Sequence, residues 1–158
     1  MHPQELSAQS VVGPTALDST RDSHTASKLM VKLAALLSIF LGLGFGLPCA
    51  YGIWCLSTTG EIWTFLGFPT YGEGPFEAIG IQTTVLLLAA FLVVCGLEVV
   101  MGGLLWRGLR AGAVLAVALL PFEFAFWIGF ALPFGPPLGL ARAILVIMKW
   151  SSFTRPSN

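Results

Sequence analysis

The chain has 158 residues, of which 56% are hydrophobic and only 10% are charged. Soluble domains carry about 25% charged residues, so this composition leaves too little polar material to cover a water-soluble surface. Eight basic and eight acidic residues give a formal net charge of zero, which argues against a basic nucleic-acid binder. The high apolar content argues against a disordered chain. The sequence therefore predicts an all-α, polytopic membrane protein.

The first segment, residues 1–27, is polar and rich in Ser, Thr, Ala and Gln. It has no sustained hydrophobic period, so we expect a disordered cytoplasmic tail. Its first basic residue is Arg21, which does not fit the start of a signal peptide. Lys28 and Lys32 could head a late signal peptide, but the apolar stretch runs on to Leu56. An uncleaved signal anchor is therefore the favoured interpretation.

Four apolar segments follow, and each approaches the length of about 20 residues that a spanning helix needs. They cover residues 33–56, 83–106, 111–133 and 136–151. The fourth is short and contains Arg142, so it either crosses where the bilayer thins locally or forms a re-entrant segment. The four helices and the loop at 57–82 form a predicted transmembrane domain over residues 28–151, and a short cytoplasmic tail follows at 152–158.

The charges outside these helices predict the orientation. A four-span arrangement places all the basic clusters on one side: Arg21, Lys28 and Lys32; Arg107 and Arg110; and Lys149 and Arg155. The loop at 57–82 has three acidic residues and no Lys or Arg. By the positive-inside rule the basic side is cytoplasmic, so we expect both termini there. Three spans would put Lys149 and Arg155 outside, so the pattern favours a fourth crossing.

The loop at 57–82 combines aromatic residues with Gly and Pro, a composition that suits the lipid headgroup zone. Its candidate functional residues are Trp63, Tyr71 and Glu73. We expect the loop to lie over the outer mouth of the bundle, with a short strand or helical turn around Ile62–Phe68. It is either an interfacial anchor or a lid over a binding site.

Small residues within the helices predict close packing. Gly42 and Gly46 form a G-x-x-x-G pattern, as do Gly135 and Gly139, while the second helix contains Gly96, Gly102 and Gly103. Such glycines let helix backbones approach closely, and we expect them to pack within the bundle. The three cysteines form no C-x-x-C motif, so they are expected to be free, apolar packing residues.

Three ionisable residues interrupt the apolar helices: Glu98, Glu123 and Arg142. Each charge at the bilayer centre costs about 2.5–3.5 kcal/mol on insertion scales, so they should face one another or a wet cavity. At 1.5 Å per residue, Glu98 and Arg142 lie about 12 Å and Glu123 about 18 Å from the cytoplasmic helix ends. The cluster is either a structural ion pair or a polar pocket that binds a ligand or relays a proton, with the excess acid kept protonated by burial.

Candidate pocket-lining residues surround these charges. Cys95 and Gly102 share the helical face of Glu98, and Phe126 and Trp127 lie near that of Glu123. An aromatic wall beside an acid suits a lipophilic or cationic ligand, although the same rings also serve as core or lipid-facing residues. No motif for phosphate binding, acyl transfer or metalloprotease chemistry is present, so we predict no catalytic residue, no metal and no cofactor.

The run LEVVMGGLLWRGLRAGAVLAVALL resembles the second and third helices of DoxX-like membrane proteins. Glu98, Gly102, Gly103 and Gly108 carry this resemblance, an acidic residue ahead of a paired-glycine segment. The resemblance implies a small four-helix bundle in a bacterial cytoplasmic membrane, in some cases linked to quinone or thiosulfate metabolism.

The sequence thus predicts a multi-pass integral membrane protein that is more an accessory or assembly subunit than an enzyme. Its expected partners are the lipid bilayer and either another membrane protein or a lipophilic small molecule, with no nucleic acid. The alternative is a carrier, a lipophilic-ligand-binding protein or a quinone-linked membrane enzyme of the DoxX-like kind, which would use Glu98, Glu123 and Arg142.

Overall fold

The protein is mostly helical in the computed structural model, which describes the backbone of residues 15–153 and the side chains from residue 25 onward, apart from that of Phe68. In chain order the elements are α1 (Thr15–Thr59), β1 (Thr64–Phe65), β2 (Phe68–Pro69), α2 (Pro75–Ala78), α3 (Val85–Trp106), α4 (Arg110–Gly129), α5 (Gly135–Met148) and a 3-10 turn (Trp150–Ser152). Helices α1, α3 and α4 are long and apolar enough to cross a membrane, and α5 is a shorter apolar helix. This helical content and these apolar helices are compatible with the predicted all-α membrane bundle.

Helices α1, α3, α4 and α5 pack in a ring. Helix α1 contacts α3 and α5, α3 contacts α4, and α4 contacts α5. A tight turn joins α3 to α4 because Gly108 adopts a left-handed φ of +70°, which glycine reaches without the penalty that a Cβ brings. The Gly108 N–H donates to the Leu105 carbonyl and the Leu109 N–H to the Leu104 carbonyl, as in a Schellman motif. The polypeptide therefore reverses within three residues.

The first helix starts earlier than the sequence predicts. It contains 45 residues and is about 68 Å long at 1.5 Å per residue, and its first turns cover residues 15–27, which we expected to be a disordered tail. Nucleating a helix is costly, whereas adding residues to an existing helix is not. Because the apolar part of α1 is already helical, residues 15–27 can join it without a separate nucleation step. The rest of the predicted tails, residues 1–14 and 154–158, lies outside the described residues.

Glycines bring α1 and α3 close together. A Cβ added at Gly42 would lie 2.6 Å from the Cys95 carbonyl oxygen, and one at Gly102 would lie 2.9 Å from the Ala35 carbonyl oxygen. In contrast, a Cβ at Gly103 would meet nothing within 4 Å. The expected packing of glycines within the bundle is confirmed at Gly42 and Gly102 but not at Gly103, which faces outward.

Contacts between distant segments place the described basic residues other than Arg142 at one end of the bundle. The Lys32 ammonium lies 5.1 Å from the ring centroid of Trp106, the last residue of α3. The hydroxyl oxygens of Ser27 and Ser152 are 3.0 Å apart, which joins α1 to the turn after α5. The acidic loop between α1 and α3 lies at the opposite end, where Gly74 packs against the C-terminus of α4. Charge is therefore separated along the bundle axis.

The loop at the acidic end is folded. Strands β1 and β2 pair antiparallel, with Phe65 opposite Phe68, and the two residues between them, Leu66 and Gly67, have φ values of +52° and +83°. Two successive positive φ values are typical of a tight two-residue hairpin. The prediction of a short strand or helical turn around Ile62–Phe68 is confirmed as a strand.

Candidate functional site

Each of the three intramembrane charges lies on the buried stripe of its helix. On α3 this stripe comprises Leu88, Phe91, Val94, Cys95, Glu98, Met101, Gly102 and Leu105. The corresponding stripe of α4 includes Ala116, Leu119, Glu123 and Trp127, and that of α5 includes Gly135, Gly139, Arg142, Ala143 and Val146. This spacing of three and four residues marks one face of a helix, so the apolar pattern itself turns the three charges towards the centre.

The structure brings these three side chains together. Glu98 is 1% exposed, and Glu123 and Arg142 are fully buried. Arg142 Nη2 donates a hydrogen bond to Glu123 Oε2, and Arg142 Nη1 lies 3.6 Å from Glu98 Oε1. One guanidinium from α5 therefore bridges a carboxylate from α3 and a carboxylate from α4.

The two carboxylates are not equivalent. Glu123 accepts a charge-assisted hydrogen bond, the stronger kind in proteins. Neither oxygen of Glu98 has a hydrogen-bond partner, and Arg142 Nε and Nη1 also have none among the described residues. The 3.6 Å separation to Glu98 is too long for a hydrogen bond with good geometry. Two acids facing one Arg leave one acid in excess, and these contacts identify it as Glu98.

The predicted pocket-lining residues are core residues of the bundle. Cys95 and Trp127 are buried, and Gly102 packs against α1. Phe126 is half-buried, and its ring centroid is 5.2 Å from that of Phe91. The Trp127 indole fills the space that Gly135 and Gly139 leave open on α5. These four residues therefore take part in the packing between helices.

The outer-loop candidates lie elsewhere. Tyr71 is buried, and its hydroxyl donates to the Phe45 carbonyl at 2.8 Å. Trp63 meets Tyr51 edge to face at 5.0 Å. Glu73 is exposed, and its backbone N–H donates to Glu77 Oε2 at 3.0 Å. Among the described residues, the hydrogen bonds and ion pairs of these three candidates do not include the buried charge cluster.

Tyr71 belongs to an aromatic cluster that closes the acidic end. Its ring centroid is 5.4 Å from that of Phe130 and 5.7 Å from that of Phe91. Phe76 of α2 also meets Phe130 edge to face at 5.3 Å. The loop thus seals the helix ends through ring contacts, which favours a fixed cover over a mobile one.

Two surface cavities are absent from the sequence-based prediction. One, of about 570 Å³, lies at the basic end and is lined in part by Lys28, Lys32 and Arg107. The sequence-based prediction considered these residues only as evidence for the membrane orientation. The four-residue spacing of Lys28 and Lys32 nevertheless places both on one helix face. The other, of about 270 Å³, is an apolar groove between α1 and the start of α5, with Phe45 and Phe134 in its wall.

The cysteines of the chain are not part of a disulfide or a metal-binding group among the described residues. Cys49, Cys55 and Cys95 are free, as the sequence predicts. The Cys49 thiol donates to the Leu88 carbonyl oxygen at 3.3 Å and packs between α1 and α3. Among the side chains of residues 25–153, no group of three or more His, Cys, Asp or Glu residues could hold a metal ion.

No protein-family model, curated protein or solved structure matches the chain. The features of the molecule that bear on its function are the closed charge cluster and the charge separation between the two ends of the bundle.

Proposed function

We propose that the protein is a non-enzymatic integral membrane protein, an accessory or assembly subunit of a membrane complex. The observation that carries this proposal is the complete burial of Arg142 between one carboxylate from α3 and one from α4. A catalytic or transport group needs a route to its substrate, whereas a closed charge cluster in an apolar bundle suits the fixing of helix register. The cluster then holds α3, α4 and α5 in one arrangement.

The outer surface of the bundle supports the same proposal. Large apolar side chains project outward from each long helix, and they include Phe40 and Leu47 on α1, Val100 on α3, Phe122 on α4 and Ile147 on α5. A surface of this kind contacts lipid or the helices of another membrane protein. Four helices thus offer a rigid, apolar body to which a larger assembly can attach.

The proposed topology has four spans with both termini in the cytoplasm of a bacterial cell. The basic end gives the orientation by the positive-inside rule, and the DoxX-like segment supplies the bacterial cytoplasmic membrane as the location. Helix α5 has 14 residues and is about 21 Å long, shorter than the hydrocarbon core of about 30 Å. Local thinning of the bilayer, together with the 3-10 turn that follows, completes the fourth crossing.

The proposed state of the cluster has Glu123 ionised and Glu98 protonated. Arg142 then pairs with one carboxylate, and the site carries no net charge. A buried ionised carboxylate without a hydrogen bond is costly, and neither oxygen of Glu98 has such a bond. A neutral cluster is therefore the arrangement that an apolar bundle tolerates best.

One observation favours a second candidate function. The unpartnered oxygens of Glu98 and the unpartnered Nε of Arg142 provide acceptors and a donor in the bundle core, where Trp127 follows Glu123 by four residues on the buried face of α4. A carrier, a lipophilic-ligand-binding protein or a quinone-linked membrane enzyme of the DoxX-like kind would use such groups on the carbonyl oxygens of its ligand. The apolar groove beside Phe45 would then be the entry from the lipid.

The test of the subunit role is the size of the native particle. The full chain, tagged at its C-terminus, is extracted from its own membrane with a mild detergent and separated on a native gel after cross-linking. We expect a particle larger than the 16.8 kDa chain that contains a second, reproducible membrane protein. Migration as a single chain would contradict the proposal.

A triple variant separates the structural role from the ligand-binding role. Glu98→Leu, Glu123→Leu and Arg142→Met together replace the cluster with apolar side chains of similar volume, a change that is often neutral or stabilising for buried ion pairs. We expect the triple variant to enter the same complex as the wild type. Arg142→Met alone leaves two buried acids and should lower the free energy of unfolding by about 3–5 kcal/mol.

The second candidate predicts a different outcome. A short-chain quinone would quench the fluorescence of Trp127 in the wild type, and Glu98→Gln would weaken this quenching, with the exposed Glu61→Gln as the matched control. Trp127→Phe identifies the quenched indole. Saturable quenching that depends on Glu98 would replace the structural role with the binding role.

A further inference from the structure

The basic end of the bundle contains a built cationic pocket. Its volume is about 570 Å³, and Lys28, Lys32 and Arg107 supply three positive charges to its wall. Among the side chains described from residue 25 onward, no acidic residue lines it and none of the three cations forms a salt bridge. These three cations therefore give the pocket wall a positive potential.

Hydroxyl groups and one aromatic ring add to the same wall. Ser27, Ser151 and Ser152 line it. The Ser27 and Ser152 hydroxyls form a hydrogen bond with each other, so one hydroxyl of that pair and the hydroxyl of Ser151 can donate to an anionic oxygen. Trp106 also lines it and lies under the Lys32 ammonium, 5.1 Å from it. Two ammonium groups, a guanidinium and two hydroxyls are donors of the kind that bind phosphate groups in proteins.

The position of the pocket selects the source of the phosphate. Trp106 ends α3, where tryptophan is typical of the membrane–water boundary. Leu29 and Leu33, each next to a pocket lysine in the sequence, are 67% and 47% exposed on α1. A lipid whose headgroup entered the pocket would find apolar helix surface for its acyl chains beside it, whereas a soluble phosphate ester would not use that surface.

We propose that this pocket binds the phosphate of an anionic membrane lipid. Basic pockets between membrane helices on the cytoplasmic side accept anionic headgroups, and the volume lies in the range of ordinary ligand sites. In this arrangement Arg107 contacts two phosphate oxygens with its planar fork, and the two lysines neutralise the remaining charge. The proposal rests on membrane insertion and is independent of whether the protein joins a larger complex.

The test measures lipid affinity of the full chain in detergent by native mass spectrometry. We expect phosphatidylglycerol to bind at least about tenfold more tightly than phosphatidylcholine, since each nearby basic residue contributes about fivefold to anionic-lipid affinity. The triple variant Lys28→Gln, Lys32→Gln and Arg107→Gln should lose this preference. Equal affinity of the wild type for the two lipids would overturn the proposal, as would an unchanged preference in the triple variant.

A matched pair of single variants controls for general surface charge. Lys32→Gln removes a pocket lysine, and Lys149→Gln removes a lysine at the same end that does not line the pocket. We expect a clear loss of phosphatidylglycerol affinity in the first variant and a change of less than about twofold in the second. Equal losses of phosphatidylglycerol affinity in the two variants would show that general surface charge attracts the lipid, and this result would overturn the proposal of a specific pocket.

Two further arms identify the ligand source and guard against misfolding. Millimolar inorganic phosphate and glycerol phosphate should fail to displace phosphatidylglycerol, and displacement with equal affinity would assign the site to a soluble phosphate instead.

Helix content and elution volume report folding of each variant. If the triple variant misfolds, Lys32→Arg must restore the affinity that Lys32→Gln removes, and failure of that rescue overturns the proposal. None of these outcomes changes the native-gel result that tests the subunit role.

Discussion

Arg142 determines the electrostatics of the bundle because it is the one cation among the three intramembrane charges. It holds Glu123 by a hydrogen bond and reaches Glu98 only at 3.6 Å. Buried ion pairs contribute little net stability when both partners are compared with apolar residues, but loss of one partner leaves an uncompensated charge. The two carboxylates should therefore respond differently to neutralisation.

We expect Glu123→Gln to destabilise the protein more than Glu98→Gln. The first variant loses the charged acceptor of the Arg142 hydrogen bond and should lower the free energy of unfolding by about 1.5–3 kcal/mol. The second replaces a carboxylic acid that we propose is already neutral, so its effect should be within about 0.5 kcal/mol. Equilibrium unfolding in mixed detergent micelles measures both values. A larger loss for Glu98→Gln would reverse the proposed protonation states.

Glycine positions determine how closely the helices pack. Adjacent residues of α3 have opposite environments, since Gly102 faces the backbone of α1 and Gly103 faces open space. The same contrast occurs on α1 between Gly42, which meets α3, and Gly44, which has nothing within 4 Å. The number of glycines in a helix is therefore a weaker guide to its packing than the face on which each one lies.

The two neighbouring glycines of α3 provide a matched test. Gly102→Ala places a Cβ 2.9 Å from the Ala35 carbonyl oxygen, and overpacking of this kind costs about 1–3 kcal/mol. Gly103→Ala meets no atom within 4 Å and should be neutral or stabilising by up to about 1 kcal/mol, because alanine is the better helix former. Thermal unfolding of the two variants in one detergent compares them directly. Equal melting temperatures would contradict the close α1–α3 approach.

The loop at the acidic end has its own pH dependence. Hydrogen bonds from the Thr83 side chain and then from the Glu73 backbone N–H hold the pKa of the Glu77 carboxyl below its ordinary value. A lowered folded-state pKa stabilises the loop above the unfolded-state pKa, and this stabilisation is lost as the pH falls through the folded-state value. We expect amide exchange in residues 70–78, corrected for intrinsic rates, to increase at acidic pH. In Glu77→Gln this increase should be absent, and a pH response that persists there would exclude Glu77 as its source.

The sequence predicts the helices of the bundle better than it predicts the contacts between them. Helical stripes and the cost of buried charge predicted that Glu98, Glu123 and Arg142 would face one another or a wet cavity, and the structure shows the first of these two arrangements. The unequal pairing of the two acids depends on a small difference between two Arg142–carboxylate distances. Helical spacing does not specify a difference of that size.

The cationic pocket shows a second limit of prediction from sequence. Its walls come from residues 27–32 of α1, residues 106–108 at the end of α3 and residues 151–152 after α5, segments that lie far apart in the chain and meet only after the bundle has closed. The start of α1 at Thr15 shows a third limit, since local composition favoured a tail, whereas continuity with an apolar helix extends α1 through the polar segment.

The charge separation between the two ends leads to a test of topology for the whole chain. Cysteines introduced at Ile79 in the acidic loop and at Ser151 after α5 report the two ends, since both residues are exposed, in a background in which the partly exposed Cys55 is replaced by serine. With four spans and cytoplasmic termini, a membrane-impermeant maleimide should label Ile79→Cys in intact cells and Ser151→Cys only after permeabilisation. The reverse pattern would invert the orientation. Labelling of both sites from outside would show that α5 does not cross, and Lys149 would then lie on the outer side against the positive-inside rule.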